Sequence, residues 1–165
     1  MENSIAVANA FIKIAKDHGR PLVLTKLLKL LYFAHGWHLA LFDEPLLEEE
    51  FQAWQFGPVI PSVYSAFKDS SMKVKEQPVP YFFDGKTSWI YPSITPSKED
   101  LVIELLNKIW EVYGSFTAHQ LSDMTHEPDT PWTRIRNRKP KTPRDAVIPN
   151  DLIQAYFKKK EASNG

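Results

Sequence analysis

The sequence predicts an α+β fold, mainly α: a helical domain around one buried central helix at about residues 25–42, with a small antiparallel sheet from about 51–56, 79–83 and 86–91. Three observations carry this prediction. From Leu24 to Phe42, thirteen of nineteen residues are Leu, Ala, Phe, Tyr or Trp, and a helix apolar on nearly every side must be covered on every side. Other segments repeat apolar residues at helical spacing. Asp84-Gly85 lies between two β-prone runs, a strong local hairpin signal.

The central run has an orientation. Lys26, Lys29 and Gly36 fall on one line and Leu27, Leu28, Leu31 and His35 on another, so solvent or a small-residue contact is expected along the first. The run is about as long as the ~20 apolar residues that span a bilayer. Lys26, Lys29, His35 and His38 within it argue against insertion, since a central Lys costs ~2.5 to 3.5 kcal/mol.

Taken in order, Ser4 to His18 reads as a helix capped by Asn3 or Ser4, with Ile5, Ala8, Phe11, Ile12 and Ala15 on one stripe and Gly19 as its stop. Thr25 is the expected cap of the central helix, and Asp43-Glu44-Pro45 its turn. Phe51 to Phe56 reads as a short strand, broken by Gly57-Pro58. From Pro61 a short helix buries Ile60, Val63, Tyr64 and Phe67. Pro78, Pro80 and Pro92 suit the 79–83 and 86–91 strands to sheet edges. Thr95-Pro96-Ser97 opens a long helix burying Val102, Leu105, Leu106, Ile109 and Tyr113 and stopped by Gly114. Thr117 and Gln120 form a capping box for a helix to about His126, and Thr130-Pro131 opens a further helical turn carrying Trp132 and Ile135. Asn150 or Asp151 caps a last helix, Leu152 to Lys160. Residues 1–160 are expected to form a single domain and 161–165 a disordered tail.

Lys plus Arg and Asp plus Glu both number 20, so no whole-molecule field draws the chain to nucleic acid or anionic membrane. Cysteine is absent, which removes disulfides, Cys-ligated zinc and thiol nucleophiles. MENSIAVANAF lacks the basic start of a secretory signal, and a cytoplasmic location is the expectation. The six glycines form neither GxGxxG nor GxxxxGK, which excludes the common nucleotide-binding enzymes, and no cofactor is implied.

Four groups of residues are candidate sites. His35 and His38 share a helical face, as a metal pair or as a core histidine beside a capping one; the latter fits better, since Asp43 and Glu44 lie past the helix end. His119, Asp123 and His126 stack along one face at spacings of four and seven, either as weak candidates for a metal or acid/base site or as a plain polar face. Arg134, Arg136, Arg138, Lys139, Lys141 and Arg144 put six cations into eleven residues with no acid, suited to phosphate, to an acidic protein surface or to solvent. Pro140, Pro143 and the lack of interleaved aromatics count against nucleic acid. Finally, Trp54, Phe56, Tyr81, Phe82, Phe83, Trp89 and Tyr91 supply more aromatics than one inward sheet face needs, leaving some for an adhesive outer face.

Three stretches together carry a family resemblance: Lys26-Leu27-Leu28-Lys29-Leu30-Leu31-Tyr32-Phe33-Ala34-His35-Gly36-Trp37, Phe51-Gln52-Ala53-Trp54-Gln55-Phe56-Gly57-Pro58-Val59-Ile60-Pro61, and Leu121-Ser122-Asp123-Met124-Thr125-His126. With Pro131-Trp132 and Ile153 to Phe157 they extend it from about Ala6 to Phe157. The chain resembles the Panacea antitoxin domain family of SocA-like and phage-associated GepA-like proteins. The resemblance implies a non-enzymatic antitoxin of a bacterial or prophage toxin–antitoxin pair, neutralising a cognate toxin encoded nearby by direct protein binding. It leaves the toxin open, since family members are paired with toxins of unrelated kinds, and it brings in a protease as a second partner class through the adaptor role known in the family. The DNA-binding domain that some members add is not expected in this chain. Partner-binding candidates are Trp54, Phe56, Tyr81, Phe83, Arg134, Arg136 and Arg138. The alternative to neutralisation by binding is a proteolytic adaptor or a metal-dependent enzyme using His119, Asp123 and His126.

Overall fold

The computed structural model describes residues 1–20, 22–69, 82–83, 89–90, 92–138, 143 and 145–164. Its helices are α1 (Ser4–Asp17), α2 (Leu24–Phe42), α3 (Pro61–Phe67), α4 (Glu99–Tyr113), entered through a 3-10 turn at Pro96–Lys98, α5 (Ala118–Thr125), α6 (Pro131–Arg136) and α7 (Asn150–Asn164). The strands are β1 (Phe51–Trp54), β2 (Gly57–Val59), β3 (Phe82–Phe83), β4 (Trp89–Ile90) and β5 (Val147–Ile148). The fold is α+β and mainly α, as its sequence predicts.

Helix α2 is the centre. Fifteen of its nineteen residues are buried, and α1, α3, α4, α5, α7 and β2 all pack on it. The closest partner is α7, because Gly36 leaves room for Phe157: a Cβ at Gly36 would lie only 2.2 Å from the Phe157 ring. Tyr32, Phe33 and Trp37 meet that ring edge-on at centroid distances of 5.8, 6.2 and 5.4 Å. The small-residue contact expected along the Lys26, Lys29 and Gly36 line is therefore a helix-helix contact.

The lysines of that line do not face solvent. Lys26 Nζ donates to Gly114 O at 2.6 Å and lies over the Trp110 ring, while Lys29 Nζ donates to Pro58 O at 3.2 Å and is fully buried. Carbonyls at the end of α4 and on β2 satisfy the ammonium groups that the sequence alone places at a surface. The two histidines of α2 are likewise internal. His35 Nε2 donates to Asn150 Oδ1 at 2.8 Å and its Nδ1 accepts the Leu47 N–H at 3.2 Å, tying α2 to the start of α7 and to the following loop. His38 Nδ1 donates to Glu44 O at 2.7 Å, which closes the turn after α2. These are the core and capping roles, and they use three of the four ring nitrogens.

Local signals set most helix ends. Asn3 Oδ1 accepts from Ile5 N and Ala6 N to start α1, and a Schellman turn ends it, with Gly19 at φ 64°. Thr117 and Gln120 complete a capping box on α5, and Thr130 caps α6. Two ends differ from expectation. Helix α2 starts after Val23 without a side-chain cap, so Thr25 lies inside it. Helix α7 runs on through Asn164, so Glu161–Asn164 extend the helix where a loose tail is expected.

The sheet also differs in membership. Its strand order is β2-β1-β5, all antiparallel, pairing Gln52 with Val59, Trp54 with Gly57 and Phe51 with Ile148. Gly57, at φ 118°, lets the chain reverse after Gln55-Phe56, so the expected breaker is the far side of a tight hairpin. Strands β3 and β4 pair with each other, Phe83 opposite Trp89, in a separate ribbon that does not join β1. Residues 84–88, with the expected Asp84-Gly85 turn, lie outside the described residues.

Candidate protein-binding surface

The β1–β2 hairpin lies against α5 and α6. Trp132 opens α6 directly after Pro131, and its Nε1 donates to Trp54 O at 2.7 Å. Arg136, one turn on, donates from Nη1 to Ala53 O at 3.3 Å and places its guanidinium 5.8 Å from the Trp132 ring centre. Trp54 packs edge-on against Tyr64 of α3 at 5.0 Å and donates to Gln52 Oε1 at 2.8 Å. Side chains of α6 and α3 thus hold β1 of the hairpin through two of its carbonyls and the Trp54 ring. At its tip Phe56 is 70% exposed, the most exposed large apolar side chain among the described residues.

Lys29 braces this hairpin from beneath. A Cβ at Gly57 would lie 2.5 Å from Lys29 Cε and 2.9 Å from Thr125 Oγ1, so glycine serves both the backbone angle and the close approach. Burial pushes the Lys29 ammonium down to about 7. His126 stacks on Trp132 at 3.9 Å, and its basicity is lowered first by burial and then by the neighbouring charge of Lys29. Its Nε2 is shielded and has no hydrogen-bond partner among the described residues.

The candidates from sequence therefore separate. Trp54, Phe56 and Arg136 meet at one place, with Trp54 and Arg136 holding the hairpin and Phe56 displayed by it. Arg134 and Arg138 are exposed on and just after α6. Phe83 lies in β3, which is not part of the β1 sheet, and Tyr81, Lys139, Lys141 and Arg144 lie outside the described residues. The His119, Asp123 and His126 row does not converge. His119 Nδ1 and Asp123 Oδ2 form a 3.1 Å pair in solvent, their side chains 85% and 64% exposed, while His126 turns to Trp132. Such an exposed pair contributes ~0 to 1 kcal/mol. No group of three or more His, Asp or Glu side chains that could hold a metal occurs among the described residues. Two parts of this surface are not visible as site features in the sequence: the central place of Trp132, and Lys29 as a brace. Trp132 had a local signal, the Thr130-Pro131 helix start that fixes its direction.

The chain belongs to the antitoxin SocA-like, Panacea domain family, whose match covers residues 27–133. The chain is 31% identical over 137 residues, 80% of its own length and 69% of the relative's, to Antitoxin SocA of Caulobacter vibrioides (strain NA1000 / CB15N). No solved structure matches it. The family match takes in α2 from Leu27 onward, the hairpin and Trp132, and ends just before the arginine cluster.

Proposed function

We propose that the chain is a non-enzymatic antitoxin that acts in the cytoplasm and neutralises a cognate, neighbouring-encoded protein toxin by direct contact through the hairpin tip and the adjacent end of α6. Family membership supports the class of partner. The observation that carries the surface is the exposure of Phe56 on a hairpin whose backbone carbonyls are held by Trp132 and Arg136. A stable protein interface buries roughly 1,200 to 2,000 Å² and draws most of its energy from a few aromatic and Arg anchors in pre-organised positions. Phe56 is the aromatic anchor in this reading, and Arg134 and Arg138 are the charged ones, facing an acidic patch on the toxin.

The test is a pair of variants at positions that support nothing internal. Phe56→Asp and Arg138→Glu should each weaken toxin binding at least about tenfold in a pull-down or calorimetric titration, the loss expected for an anchor worth ~1.4 kcal/mol or more, and leave the unfolding temperature within a degree or two. Binding unchanged in both variants would remove this surface from the account. Trp54→Ala and Arg136→Glu are poorer probes, because both side chains hold the hairpin in place and their loss would also lower stability.

A further inference from the structure

Helices α1 and α4 lie side by side and run the same way. Where they begin, Glu2 Oε2 accepts the Thr95 N–H at 2.7 Å, and where they end the rings of His18 and Trp110 stand 5.5 Å apart. Between them is a 1120 Å³ groove. Its apolar lining is Ala6, Ala10 and Ile14 on α1, Ile94 just before α4 and Ile103 on it; Ala10 and Ile103 are half-buried and the others buried. Alanines one turn apart keep the α1 side low. On the α4 side the border runs from Glu99 to Glu111, ~18 Å at ~1.5 Å per residue, the length of about a dozen helical residues.

The charges along this groove are sorted by side. All four acids of α4, Glu99, Asp100, Glu104 and Glu111, border it, and all are exposed. Against them α4 sets one cation, Lys108, whose Nζ donates to Glu104 Oε1 at 2.8 Å on the same helix and also feels the charge of Glu111. Lys13 and Lys16 stand on the α1 side, with Asp17. Glu99 and Asp100 stabilise the positive start of α4. Glu111, however, lies in its last turn, where the helix dipole opposes an acid and no basic residue shares the turn. Helix stability therefore does not account for this acid.

We propose that the groove receives an amphipathic helix of a protein partner, its apolar stripe on Ala10 and Ile103 and its lysines or arginines along the flank that faces α4. A helix docks in such a groove through apolar anchors spaced i, i+3, i+4 and i+7. The small side chains of α1 permit the ~8 to 10 Å axial approach of packed helices. The volume exceeds the ~300 to 1,000 Å³ of small-molecule sites, and the shape is that of a channel between two rods. The acidic border sets the charge of the incoming flank, while Lys13 and Lys16 keep the opposite flank acidic or neutral. The inference uses neither the Phe56 surface nor the antitoxin reading.

The probe is a stapled helical peptide of about 14 residues, since unstapled helices of that length are marginal in water. It carries leucines on one stripe, lysines along one flank and glutamines elsewhere. It is titrated into the full chain at neutral pH and low salt and followed by amide chemical shifts. The expected result is saturable shifts at Ala10, Ile103 and Asn107, with affinity about tenfold weaker when glutamates replace the peptide's lysines. Reversing Glu104→Lys and Glu111→Lys together should weaken the lysine peptide by a similar factor and make the glutamate peptide the better ligand. Both positions are exposed, so the unfolding midpoint should stay near that of the parent; Glu111→Lys alone decides the matter if the double variant loses its folded spectrum. No saturable shift, shifts confined to residues outside the groove, or equal affinity for the two peptides would overturn the proposal. So would sedimentation of the free chain as a dimer that Glu111→Lys dissociates, which gives the groove to a second copy.

Discussion

Lys29 shows how a single side chain can serve the fold at an electrostatic cost. It is a lysine inside the core, bonded to the Pro58 carbonyl and without an ion-pair partner among the described residues. Burial disfavours its charged form, so the folded protein releases this proton near pH 7 while the unfolded chain holds it to about 10.5. Between those values the unfolded state binds more protons, and stability must rise with pH. Below about 7 both states are charged and the penalty is present in full. Urea unfolding at pH 7 and pH 9.5 should therefore show the native protein more stable at the higher pH, by on the order of a few kcal/mol from this residue. Lys29→Met should flatten that slope. A wild-type slope that persists in Lys29→Met would assign it to other groups. Neither the burial nor the brace is legible in the sequence, because the acceptor is 29 residues away, on a strand reached through a turn.

At the scale of elements, the docking of α7 on α2 decides whether the central helix is covered. Phe157 is completely buried among Tyr32, Phe33 and Trp37 and seated on Gly36. Phe157→Ala should cost ~3 to 5 kcal/mol through lost burial and a cavity that this ring of aromatics cannot close. Gly36→Ala should also destabilise, since its methyl would displace the ring. Both are read as loss of the cooperative unfolding midpoint in urea, and a midpoint unchanged in Phe157→Ala would contradict the packing. The elements themselves are largely legible in the sequence. Apolar spacing locates the helices, and Asn3, Gly19 and the Thr117-Gln120 pair locate their ends through contacts a few residues apart. Strand β5 is not legible, because Val147 and Ile148 are only two residues and become a strand by pairing with Phe51 and Gln52 nearly a hundred positions earlier. The candidate surface follows the same division. Phe56 and the arginines stand out in the sequence as residue types. That Trp132 and Arg136 bond to the carbonyls of Trp54 and Ala53, at separations of 78 and 83 residues, depends on the tertiary fold.

The whole molecule joins a central helix, covered by five others, to a braced hairpin that displays one aromatic side chain. Among the described residues no helix is long and apolar enough to cross a membrane. With a formal net charge of zero, recognition by this chain has to rest on local surfaces rather than on a long-range field. Membership of an antitoxin family sets the role, and the hairpin is where we place the contact that performs it. Co-expression with the product of the adjacent open reading frame tests this most directly, scoring host growth and then co-purification. The account predicts that the neighbour alone arrests growth, that this chain restores it, and that the two proteins elute as one stable complex. Growth restored with no complex would contradict neutralisation by direct contact and favour delivery to a protease or a catalytic route.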